Sequence, residues 1–223
     1  MRHGHMMKGY TLSEVKPRIF FLDFKKSYDL SMHFLRYQEF YESASPRFRG
    51  KPFQILDFME WYSAKYGKGA FTYPVDWAGF NIPDHIITEV WAQGIMDRNI
   101  YDYEMKMVHQ KCAEKYPNER FYIIGAVGKS FAMKHEIAHG FFYTQPEYRE
   151  KMTALVKALK PALRKSINKT LKKIGYTPKV YIDECQAYMS TGFTDAFGVK
   201  LKDEHKPFVK LYNEYYKAEY DNA

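Results

Sequence analysis

The chain has 223 residues, 46% hydrophobic and 18% aromatic, with a formal net charge of +8, which describes a folded globular protein of one substantial core and excludes a disordered chain. Two cysteines, Cys112 and Cys185, are too few for a disulfide framework and read as free thiols, and no stretch approaches a membrane span. The charge is uneven: from Arg149 to Lys179 ten basic residues face one acid, Glu150, so this segment carries +9 and the rest is close to neutral. The first residues lack the apolar core of a signal peptide, so the expected location is cytoplasmic.

Residues 17–24 form an apolar, aromatic run of strand length. From Ser27 the period changes, and Leu30, Phe34, Tyr37 and Tyr41 recur at helical spacing until the Ser, Pro and Gly punctuation of 43–50. A second helix is predicted over 53–66, with Ile55, Leu56, Phe58, Met59 and Tyr62 buried; both helices read as scaffold. Residues 67–83 are rich in Gly, Pro and aromatics without a period, and are expected to cap the core, with cleft lining as the alternative. Helices over 84–93 and 101–116 follow.

Residues 120–127 are the strongest predicted strand, followed by the turn Gly128-Lys129-Ser130, with Ser130 as N-cap of a helix over 131–143. That turn resembles the end of a Walker A loop, but the pattern requires glycine where the chain has Ile123, and no acidic partner strand stands out. Nucleotide binding is not expected. Thr144 and Glu147, three apart with Pro146 between them, predict a capping box. Beyond it Met152, Leu155, Val156, Leu159, Leu163, Ile167, Leu171 and Ile174 trace an amphipathic stripe interrupted at Pro161. The opposite, basic face reads first as solvation; the alternatives are attraction of nucleic acid, an anionic membrane surface or an acidic substrate. A last helix is predicted over 183–189.

The 131–143 helix carries His135-Glu136-Ile137-Ala138-His139, an HExxH pattern. Residues four apart share a helix face, so both imidazoles can bind one ion, and Glu136 lies where it can deprotonate a water held by the same metal. A catalytic zinc site needs a third protein ligand. Glu184 is the candidate, because Ala187, one turn along, is small enough for close packing against the HExxH helix.

Taken together, HExxH and the downstream Glu184-x-x-Ala187 resemble the zincin metallopeptidases, in particular their Glu-ligand group. The resemblance spans residues 120–188. It implies an α+β fold with a small mixed sheet, an active-site helix and a mostly helical C-terminal lobe, the lobes dividing near residue 143 within one domain. It further implies one Zn2+ per chain held by His135, His139 and Glu184, with Glu136 as general base cleaving a peptide or protein substrate, and an edge strand at 120–127 that aligns it. Relatives often carry, at the position of Tyr188, an acid that orients the first histidine; Tyr188, Tyr181 and His205 are the candidate oxyanion stabilisers. The metzincin extension is excluded by Phe142 and Gln145, and Asp195 is the fallback third ligand. The alternatives are a hydrolase acting on a non-peptide bond, and a non-catalytic zinc-containing binding protein that docks an anionic partner through 149–179.

Overall fold

The computed structural model describes residues 9–128, 132–192, 194–197, 201 and 203–218. Strands β1 (Tyr10–Lys16) and β2 (Ile19–Phe24) form an antiparallel hairpin whose tight turn places Arg18 at φ +66°. Helices α1 (Ser27–Glu42), α2 (Ile55–Lys65) and the short α3 (Tyr73–Asp76) precede β3 (Gly79–Pro83). Helices α4 (Asp84–Ala92) and α5 (Ile100–Lys115) lead to β4 (Tyr122–Val127). The remainder is helical: α6 (Ala132–Thr144), α7 (Pro146–Ala158), α8 (Pro161–Lys173), α9 (Tyr181–Thr191), a 3-10 turn (Thr194–Phe197) and α10 (Lys206–Ala218).

The strands make one sheet in the order β1-β2-β4-β3, with β2 and β4 parallel and the other pairs antiparallel. The described residues thus form an α+β fold with a small mixed sheet and ten α-helices. Strand side chains alternate between faces, and the alternation builds two cores. Phe20, Leu22, Phe80, Ile82 and Ile123 face one cluster with α1, α2, α4 and α5, while Phe21, Tyr122, Ile124 and Ala126 face the other with α6, α7, α9 and α10. Each fully buried Phe or Leu in these clusters contributes about 1.5–3 kcal/mol of transfer free energy.

Two glycines set how closely helices approach this sheet. A Cβ on Gly125 of β4 would lie 2.4 Å from the Phe34 ring of α1, and one on Gly140 of α6 would lie 2.6 Å from Ile19 of β2. The absence of a side chain at Gly140 therefore fixes the depth of the HExxH helix against the strands.

Several local expectations change. Residues 10–16 pair as a strand, and the aperiodic stretch 67–83 holds α3 and β3; in both, backbone pairing with a neighbouring strand replaces the missing period. Leu56 is exposed, because the buried face of α2 runs through Ile55, Phe58 and Tyr62, and Met59 is only partly buried. The capping box at Thr144 does not form: its hydroxyl donates to the Gly140 carbonyl at 2.8 Å inside α6. Strand β4 is interior, paired on both sides, so it cannot be the edge strand. Lys129 and Ser130 lie outside the described residues, as do residues 1–8. Both cysteines are free and buried, their thiols pushed up to about 12 by burial. No helix among the described residues is long and apolar enough to cross a membrane.

Candidate metal centre

Helices α6 and α9 pack side by side on the sheet face opposite α1. Ala138 and Ala187, both wholly buried, keep that contact close and bring His135, His139 and Glu184 together. Their ligand atoms all lie within 4.8 Å of one another. The two Nε2 atoms are 3.2 Å apart, and Glu184 Oε1 is 3.8 Å from Nε2 of His139. Two atoms bound to one tetrahedral zinc at bond lengths of ~2.0–2.1 Å sit about 3.4 Å apart; the two separations that involve His139 lie near that value, and the set as a whole spans up to 4.8 Å, with donor types that suit a metal ion.

The surroundings orient these donors. Nδ1 of His139 faces Asp183 Oδ1 at 2.9 Å, and the same oxygen accepts from Gln186 Nε2 at 2.9 Å. With Nδ1 engaged by the carboxylate, Nε2 faces His135 Nε2 at 3.2 Å and Glu184 Oε1 at 3.8 Å; a carboxylate behind the ring is the usual arrangement for a zinc-bound imidazole. The His135 ring is hydrogen-bonded by the Ala187 backbone, with Thr191 Oγ1 3.4 Å from its Nδ1. Glu184 is 4% exposed, and its Oε2 is buried with no hydrogen-bond partner among the described residues. A buried carboxylate oxygen in that state costs desolvation that a bound cation would offset.

Electrostatics follow from the burial. Burial, with His139 beside it, pushes the His135 ring well below its ordinary value. For His139 burial acts in the same direction, but the carboxylates of Asp183 and Glu184 outweigh it and hold the ring well above. Burial raises Glu184 far above the carboxylate range against the pull of His139. Glu136 is also raised by burial, with His139 and the Asn81 amide drawing it back.

Glu136 is held from the sheet. Asn81 Nδ2 donates to Glu136 Oε2 at 2.5 Å, and the Tyr122 hydroxyl donates to Asn81 Oδ1, which fixes the orientation of the amide. Asn81 faces this side because it alternates with Phe80 and Ile82 along β3. A Cβ on Gly79 would come within 3.3 Å of Glu136 Oε1, so the strand approaches the carboxylate at van der Waals distance.

Of the residues singled out in the sequence, His135, Glu136, His139 and Glu184 come together. Asp195 does not: it is exposed on the 3-10 turn, outside the cluster. Tyr188 lies beside it, its ring centroid 4.7 Å from that of His135. Asp183, Asn81, Tyr122 and Thr191 were missed. The acidic pair Asp183-Glu184 was a signal for the first, and Thr191, one turn past Ala187, for the last. Glu42, at the end of α1, was also missed; burial pushes its carboxyl up to about 7, with His139 pulling the other way. No protein-family model matches the chain, and no match to it was found among the curated proteins or the solved structures.

Proposed function

We propose that this chain is a zinc-dependent hydrolase of the Glu-ligand zincin kind that cleaves peptide bonds. One observation carries the reading: the ligand atoms of two histidines of α6 and a glutamate of α9 converge within 4.8 Å of one another, with a buried carboxylate beside them. His135, His139 and Glu184 would hold the ion. Zinc, when bound, supplies Lewis acidity that polarises a carbonyl and acidifies water.

The chain's own groups supply the rest. Asn81 holds Glu136 Oε2, and the other oxygen, on the Gly79 side, accepts the proton of the attacking water and returns it to the leaving amine. Burial favours this exchange by bringing the carboxyl closer to the proton affinity such a shuttle needs. The substrate-aligning role falls to β3, the strand at the sheet edge on the Glu136 side, which offers main-chain groups to an extended peptide.

The test is metal content. Protein purified without added metal is expected to hold one zinc per chain by mass spectrometry, and His135→Ala or Glu184→Ala to lose it. Full zinc affinity in Glu184→Ala, with loss in Asp195→Ala, would reverse the ligand assignment.

A further inference from the structure

A groove lies outside the metal centre, between α7 and the start of α9. Along α7, Arg149, Thr153 and Lys157 recur every four residues and so form one row of its wall. Lys179 and Asp183 belong to the opposite wall, and Phe142 and Ile182 make its surface partly apolar. Asp183 joins the groove to the centre. Its carboxylate receives Nδ1 of His139, so the groove lies behind that ring, away from Nε2.

The groove is lined by three cations and two acids, Glu150 and Asp183, and Asp183 is already engaged by His139 and Gln186. Among the described residues none of Arg149, Lys157 and Lys179 forms an ion pair; Lys157 and Lys179 are exposed and Arg149 is half-buried. Glu150 is the one acid on the α7 wall. Arg149 and Lys157 are eight residues apart, which is ~12 Å along a helix, a span that about four residues of extended chain cover.

We propose that this groove docks an acidic, extended polypeptide segment at a site distinct from the metal centre. Carboxylates of the segment pair with Arg149, Lys157 and Lys179, and its apolar side chains rest on Phe142 and Ile182. The mixed lining, with cations beside Phe142 and Ile182, fits a single chain. A nucleic-acid duplex would find its larger cationic surface on α8, where Lys165, Lys169, Lys172 and Lys173 are exposed and none lines the groove. The choice of a polypeptide rests on the peptidase reading; the groove and its charge do not.

The experiment is fluorescence anisotropy with a short labelled peptide of alternating Glu and Leu, and its Lys-Leu counterpart, on the full chain carrying Glu136→Gln so that nothing is cut. The Glu-Leu peptide is expected to bind and the Lys-Leu peptide not to. Lys157→Glu with Lys179→Glu should weaken binding about tenfold, as each reversal turns a surface attraction into a repulsion. Lys169→Glu with Lys172→Glu changes net charge equally and should cost less than about threefold. Equal losses in the two double variants, equal binding of the Lys-Leu peptide, or tighter binding of a short DNA duplex would overturn the proposal. Groove-dependent binding together with no peptide cleavage by the zinc-loaded parent chain upholds the groove and removes the peptidase reading; cleavage by the parent chain without groove-dependent binding does the reverse.

Discussion

The two faces of the sheet each bury a histidine against carboxylates, and they use it differently. On the α1 face, His33 directs Nδ1 to the Asp29 carbonyl at 2.6 Å and Nε2 to Glu104 at 2.8 Å. Beside it Arg36, 1% exposed, forks onto both oxygens of Asp102 and caps the Phe53 carbonyl. Both ring nitrogens and the guanidinium meet oxygen acceptors, so this network is spent on holding α1, α5 and the 43–54 segment together. On the α6 face the two Nε2 atoms point toward each other and a buried carboxylate oxygen lacks a partner among the described residues. Buried polar groups that are fully matched stabilise or specify a fold; lone pairs that converge on one point with an acceptor left over describe a ligand site.

The contrast can be broken most directly at Glu136. Glu136→Gln is expected to lower kcat by about 10²–10⁴-fold while zinc content and thermal stability stay unchanged; a variant that keeps full turnover would remove it as the base. Of similar size but different in kind, Arg36→Ala leaves the Asp102 carboxylate buried without its cation and should cost about 3–5 kcal/mol of unfolding free energy. Denaturant titration measures this, and zinc stoichiometry of the folded fraction should not move. If zinc were lost in proportion, the two faces would not be separable.

Smaller effects sharpen the second cluster. Asp183→Asn removes the carboxylate behind His139 and is expected to weaken zinc binding about 10–100-fold with little change in stability. Chelator competition reads this; affinity equal to the parent chain would leave Asp183 without an orienting role. Acidification acts on the same ring. Because His139 is held above its ordinary value, a proton competes with zinc for Nε2, so affinity should fall from pH 7.5 to 6.5, by at most about tenfold per proton displaced. A pH-independent affinity across that interval would contradict the ligand role of His139.

Much of the scaffold was legible because helical spacing reports directly on which side of a helix is buried. The α1 stripe, the break at Pro161 and the shared face of His135 and His139 all follow from residues three and four apart. The α5 start was less visible. Asn99 and Asp102 form the capping box that Thr144 and Glu147 do not, although both pairs show the spacing. The difference lies in Thr144, which is buried within the last turn of α6 and bonds to its own helix.

By itself the sequence determined most of the helices, though not α3 or α10, together with the apolar run of β4 and the two histidines with their neighbouring acid, because these depend on periods of a few residues. Only the tertiary structure decided that β1 and β3 are strands, that β4 is interior, and that Asn81 reaches Glu136. It also decided that Glu184 joins the histidines while Asp183 stands behind one of them and Asp195 stays outside. These outcomes depend on strand register and on the depth of α6 against Ile19 at Gly140. Pairing across many residues sets both, and a short stretch of sequence carries no period that records it.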